Sequence, residues 1–307
     1  MKDKRGLFFT VIVIFIITLF FMSYTLYDVI VDRSSTDRRV ETLNNFVYSI
    51  EEDIPRYLFI AGFRSLFLME EKIVAENNYI SNVNSTFQEL FYNGTLDGEE
   101  KEIMFGAKFS DMEFSFDEVA DKVNANVSLS SPSISMDQID PWHVYVSFSV
   151  YLEIEDLSGL VKWNKTAVYD TVIPIEGFED PIYLIETGVV TNKVIPTPYE
   201  IFTSGSDVSN LSDHVDNSYY VASDSAPSFL KRMEGNFSAD ENGIESFVKI
   251  PKLTAVDITP LDKTTIDYIY FSGDNPTYYR VSGMPSWFKI DNEDGHLDKY
   301  NVSSLIY

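Results

Sequence analysis

KRGLFFTVIVIFIITLFFMSYT, residues 4–25, decides how the rest of the chain is read. A basic pair and a glycine lead into an apolar run, and residues 6–27 carry no charged side chain. A helix of about 20 residues spans the hydrocarbon core of a bilayer. Thr10, Thr18, Ser23 and Thr25 are the polar exceptions, and hydroxyls of this kind bond back onto their own helix. A cleavable signal has a shorter apolar core and a small-residue cut site. Here the first alanine is Ala61. The expectation is a retained transmembrane helix over 7–31, after a short basic segment 1–6 that is either a cytoplasmic terminus or a leader.

The basic residues leave orientation open. Lys2, Lys4 and Arg5 precede the helix, and Arg33, Arg38 and Arg39 follow it. Glycan acceptor sequons break the tie. They begin at Asn84, Asn93, Asn126, Asn164, Asn210, Asn236 and Asn301, all on the C-terminal side of the helix. Asn275 is followed by proline and is excluded. The expected topology is a single-pass protein of the cell membrane, N-terminus cytoplasmic and C-terminal domains extracellular, with the lipid bilayer as first partner.

Charge and cysteine usage narrow the classes further. The formal net charge is −25. Such a surface repels nucleic acid, whose binding depends on cationic contacts to phosphate. It suits divalent cations, basic partners, a salty exterior, or plain solvation. With no cysteine in the chain, disulfides, thiolate metal sites, cysteine nucleophiles and lipoprotein acylation are excluded together.

Beyond the membrane, Val40, Leu43, Val47, Ile50, Ile54, Tyr57 and Ala61 alternate at spacings of three and four, a heptad seam. An amphipathic helical stalk over 32–80 follows, with a kink or restart expected at Pro55, which lacks an N–H. The seam packs either on the chain's own globular part or on other envelope or pilin-like proteins. After 81–109, read as loop and short helix, SDMEFSFDEVADKVN (110–124) reads as another short helix. The period then changes. NVSLSSPSISM (126–136), WHVYVSFSVYLEIED (142–156) and VKWNKTAVYDTVIPI (161–175) alternate with period two and read as antiparallel strands. Residues 81–195 thus form an antiparallel β domain with covering helices. Residues 196–228, rich in Ser, Asp, Asn and Pro, read as a polar linker or long loop, and 229–307 as a small mixed C-terminal domain. The fold class is α+β: a transmembrane helix continuing into an amphipathic stalk, then antiparallel β-rich extracytoplasmic domains.

No catalytic constellation emerges. His143, His214 and His296 are far apart, and no HExxH, Gly-x-Ser-x-Gly or Walker pattern occurs. His143 reads as a hydrogen-bonded strand residue and His214 as solvated. Glu51/Glu52 and Glu99/Glu100 are sequence neighbours, which makes them poor acid–base pairs. IDNEDGHLD (290–298) offers Asp291, Glu293, Asp294 and Asp298 as oxygen donors for Ca²⁺. Its glycine comes too early for an EF-hand loop, so a plain acidic turn is the preferred reading. The expectation is no enzyme, no metal and no cofactor.

KRG before LFFT, the RSS…RRVET…NNFVYSIE stalk, DPWHVYV, WNKT, GFEDPIYLI and GIESF together resemble a family of uncharacterised archaeal membrane-anchored envelope proteins. The first 30 residues are similar to archaeal type IV pilin-like proteins, whose short basic leader ends in glycine. That resemblance implies processing between Gly6 and Leu7. The acidic residue that many pilins carry at the fifth mature position falls at Val11 here. The resemblance implies an envelope protein with a structural or interaction role, or a minor or tip pilin-like subunit.

Overall fold

The computed structural model describes residues 4–307, so Lys2 lies outside the described residues. The first element, α1 (Lys4–Glu76), is 73 residues long. Its leading part is apolar and exposed on all sides, with Phe8 68% and Phe20 73% accessible. Thr18 Oγ1 donates to the Ile14 carbonyl at 2.8 Å, and Thr25 Oγ1 to Met22 at 3.0 Å, so these hydroxyls are satisfied within the helix.

No restart occurs at Pro55, which sits inside the continuous helix. Ile54 and Leu58 on either side of it are fully buried. Packing holds those turns although proline withdraws one backbone donor. The heptad seam itself is largely covered by the chain's own residues. Leu43, Val47, Ile50, Ile54 and Ala61 are all buried, while Val40 stays 45% exposed.

α2 (Val83–Asn93) is capped by Asn82, whose side chain accepts from Ser85 N, and ends at Gly94 in the left-handed region. A two-residue hairpin, β1 (Thr95–Leu96) and β2 (Glu99–Glu100), leads to α3 (Phe109–Lys122). Three long strands follow, β3 (Ala125–Asp140), β4 (His143–Asp156) and β5 (Lys162–Pro174), in sheet order β3-β4-β5. In the central strand β4 every second side chain, from Val144 to Ile154, is buried. In β3 the buried positions move from odd (Ala125, Val127, Leu129) to even (Ile134, Met136, Gln138). Ser131, at φ 51°, lies at the change. One extra residue of this kind is what a β-bulge inserts.

The chain divides into two compact units. The first takes the described residues up to Asp53 with Glu113–Ser130 and Tyr151–Ala167. Within it, Arg39 of α1 donates to Asp156 Oδ1, at the end of β4, and to the Asn124 carbonyl after α3. Glu51 of α1 pairs with Lys165 of β5. Phe46, Phe116, Leu129 and Leu152 are buried in this unit.

The second unit takes Ile54–Met112, Ser131–Val150 and Val168–Tyr307. Here α1 approaches the sheet closely. A side chain at Gly62 would meet Ile173 Cδ1 and lie 2.9 Å from Val146 Cγ2. Phe91 of α2 packs edge-on against Phe148 of β4, ring centroids 5.7 Å apart. Past the sheet come α4 (Pro181–Thr187), α5 (Ser209–Asn217), β6 (Val221–Ala222), α6 (Phe229–Met233), β7 (Ile244–Glu245), α7 (Ile250–Thr254) and α8 (Asp267–Phe271). β8 (Tyr278–Tyr279), β9 (Ile290–Asp291) and α9 (His296–Lys299) complete it. β6 pairs with β7 and β8 with β9, both antiparallel.

Residues 196–228, expected as a linker or long loop, carry α5 and bury Phe202, Leu211 and Val215 in one core with Phe247, Phe288 and Tyr300. His214 is fully buried there, which corrects the solvated reading. Its ring lies 5.0 Å from Phe202, and its Nδ1 is 3.0 Å from Thr197 Oγ1.

Candidate functional site

Two buried charge clusters hold the second unit together. Asp180 caps α4 by accepting from Ile182 N, and its Oδ2 meets Arg232 Nη1 at 2.5 Å. Arg232 Nη1 also reaches Asp267 Oδ2 at 3.0 Å, and Arg232 Nη2 donates to the Ile244 carbonyl. Tyr220 OH donates to Asp180 Oδ2 at 2.7 Å, and Ser246 Oγ to Asp267 Oδ2 at 2.8 Å. Burial disfavours the guanidinium, but Asp180 and Asp267 outweigh it and raise the Arg232 pKa. Burial in turn raises that of Asp267. Every donor and acceptor here is answered by the fold, which is the pattern of a structural ion cluster.

The second cluster absorbs the acidic loop. His296 Nδ1 lies 2.7 Å from Asp291 Oδ1, and His296 Nε2 lies 3.5 Å from Glu245 Oε2. Glu245 Oε1 accepts from Tyr300 OH at 2.9 Å and from Lys299 Nζ at 3.1 Å. Burial would lower the His296 pKa, but Asp291 and Glu245 hold it at about 9. Glu245, which burial would raise, is brought to about 2 by His296 and Lys299. Burial pushes His214 the other way, to about 4.

The four candidate cation ligands therefore do different things. Asp291 faces inward onto His296. Glu293 and Asp294 are exposed, and Asp298 accepts from Ser303 Oγ at 2.6 Å. Among the described residues no group of three or more His, Asp and Glu side chains is arranged to hold a metal ion. His143 Nδ1 lies 2.8 Å from Asp140 Oδ1 at the start of β4.

All seven sequon asparagines are exposed. Asn210 donates its amide to the Ile201 carbonyl at 2.9 Å. Gly6 and Leu7 lie in the first turns of α1.

An open cleft of about 520 Å³ lies in the second unit along the C-terminal part of α1. Phe63, Phe67, Glu70, Glu71 and Val74 share one helical face and line one wall. The opposite wall is the turn 176–179. Gly177, at φ 90°, reverses the chain there, and Glu179 pairs with Lys193 as an isolated antiparallel bridge. Phe178 N–H donates to Ile175 and its carbonyl accepts from Val194 N, which fixes the turn. Phe178 packs edge-on against Phe63 with centroids 5.5 Å apart. Glu179 N donates to Glu70 Oε1 across the cleft. Burial raises Glu70 to about 7, against the lowering effect of that hydrogen bond. Glu179 Oε2 is buried and meets no donor.

Sequence reasoning missed this cleft and the Arg232 cluster. Asp180 before Pro181 carried a helix-start signal. Nothing marked Arg232 as buried.

No protein-family model, curated protein or solved structure matches the chain. One helix among the described residues, Phe8–Glu76, contains a stretch long and apolar enough to cross a membrane, with a mean hydropathy of 2.4.

Proposed function

We propose that this chain is a single-pass, membrane-anchored protein of the archaeal cell envelope that presents its folded units outside the cell as a structural or interaction module, without catalysis. The observation that carries this reading is the leading part of α1. A helix that is apolar on every side and buried by nothing in its own fold belongs in lipid or inside a bundle of helices. The exposed sequons favour the outward orientation. The buried Arg232 cluster favours a structural role, because its polar partners come from the fold itself. Membrane fractionation tests the anchor. The full chain stays in the pellet through an alkaline carbonate wash, and deletion of residues 8–27 releases it. Release of the full chain by carbonate would sink the anchor.

The second reading is a pilin-like minor or tip subunit, processed between Gly6 and Leu7. It is favoured by the uninterrupted α1, which joins an exposed apolar lead to a segment packed on an antiparallel sheet. Val11 in place of an acidic residue weighs against it. This reading requires a mature N-terminus at Leu7 by mass spectrometry and recovery of the chain in sheared filaments.

A further inference from the structure

We propose that the cleft between α1 and the turn 176–179 is a docking groove for an apolar segment of a partner protein that carries lysine or arginine. The surface is available and preformed. Phe63 is 43% exposed, Phe67 44% and Val74 54%, on a helix whose other face is buried through Leu58, Ala61, Met69 and Ile73. The strip continues N-terminally through Phe59 and Ile60, 39% and 41% exposed, and Phe59 stacks on Phe63. From residue 59 to residue 74 a helix rises roughly 22 Å. A strip of that length outruns a small molecule and matches a few turns of a partner helix or several residues of a strand.

Charge selects the occupant. Glu70, Glu71, Glu176 and Glu179 border the apolar floor, and Lys193 is the one cation among the lining residues. Glu71 and Glu176 are exposed on this rim, where an incoming ammonium or guanidinium can meet them. An acidic partner would meet repulsion from this rim. An apolar stem with a cationic head satisfies floor and rim together. The groove lies outside the apolar lead of α1, so it stands whether the chain acts as an anchor or as an assembly subunit.

The test uses the full chain in phosphatidylcholine nanodiscs and a fluorescein-labelled amphipathic Leu/Lys peptide, with empty discs subtracted. The comparison probes are the same peptide with Glu for Lys, and hexylammonium as a small cation. The expected result is binding of the Leu/Lys peptide alone. That affinity falls about tenfold or more in Phe67→Asp and in Glu71→Lys/Glu176→Lys, substitutions at exposed positions that leave the melting temperature unchanged. Four outcomes would overturn the proposal: equal binding of the Glu peptide, unchanged affinity in both variants, hexylammonium binding that the peptide cannot displace, or self-association of the chain abolished by Phe67→Asp without any peptide binding. The last two would assign the groove to a small cation or to a second copy.

Discussion

The Arg232 guanidinium lies 2.5 Å from Asp180 Oδ2, and neither side chain reaches solvent. Asp267 completes the cluster from α8. The three residues come from segments far apart in sequence, so the ion cluster is a tertiary bolt in the second unit. Arg232→Met leaves two carboxylates buried without their counter-charge. It should cost about 3–5 kcal/mol of unfolding free energy in a denaturant titration. Adding Asp180→Asn and Asp267→Asn should recover most of that loss, because the penalty comes from unpaired charge.

His296 gives the second unit a signed pH dependence. Its folded pKa, about 9, stands above its ordinary value of 6.5. Its contribution is full below pH 6.5 and is lost as pH rises through 9. Glu245, lowered from 4.5 to about 2, contributes fully above pH 4.5 and loses that contribution as pH falls through 2. The pair therefore stabilises most between pH 4.5 and 6.5. Chemical denaturation at pH 6, 8 and 10 should show a decline on the order of 3 kcal/mol in the wild-type chain. His296→Gln should flatten the part of that decline between pH 8 and 10, above the range in which Glu70 titrates.

Gly62 is placed by contact. Its backbone dihedrals are those of the helix, so alanine would ordinarily favour α1 by up to about 1 kcal/mol. Here the added methyl meets Ile173 and Val146, both fully buried. Gly62→Ala should lower stability by about 1–3 kcal/mol, read as a fall in denaturation midpoint at unchanged slope.

Glu70 should weaken the second unit above neutral pH. Its carboxyl is raised from 4.5 to about 7, so its contribution is present below pH 4.5 and lost as pH rises through 7. Glu179 and Lys193 are the charged groups facing it. Glu70→Gln keeps an oxygen to accept from Glu179 N and removes the charge. The variant should melt above wild type at pH 8 and close to it at pH 5.

Strands were legible in the sequence where period two is strong. From Val144 to Ile154 the alternation is unbroken, and β4 lies where it was read. The apolar lead of α1 was legible for the same reason, since a run without charge has few readings. The bulge at Ser131 was not, because the register change is a backbone event that a serine does not announce. Composition points His214 toward solvent, with Ser and Asp around it, while Leu211 and Val215 on the same helical face carry it into the core. The cleft was hidden in a different way. Phe63, Phe67 and Val74 belong to an amphipathic run, and only the fold shows that α1 has a second apolar face left uncovered.

The proposed function rests most directly on an outward orientation of the folded units, and with no native cysteine in the chain that orientation can be read by single-cysteine labelling. Single-cysteine variants Ser49→Cys and Ser304→Cys, at exposed positions in the first and second units, are treated on intact cells with a membrane-impermeant maleimide, beside Lys2→Cys. With the proposed topology, Ser49→Cys and Ser304→Cys label on intact cells and Lys2→Cys labels only after permeabilisation. Labelling of Lys2→Cys alone on intact cells, with the other two protected until lysis, would contradict it.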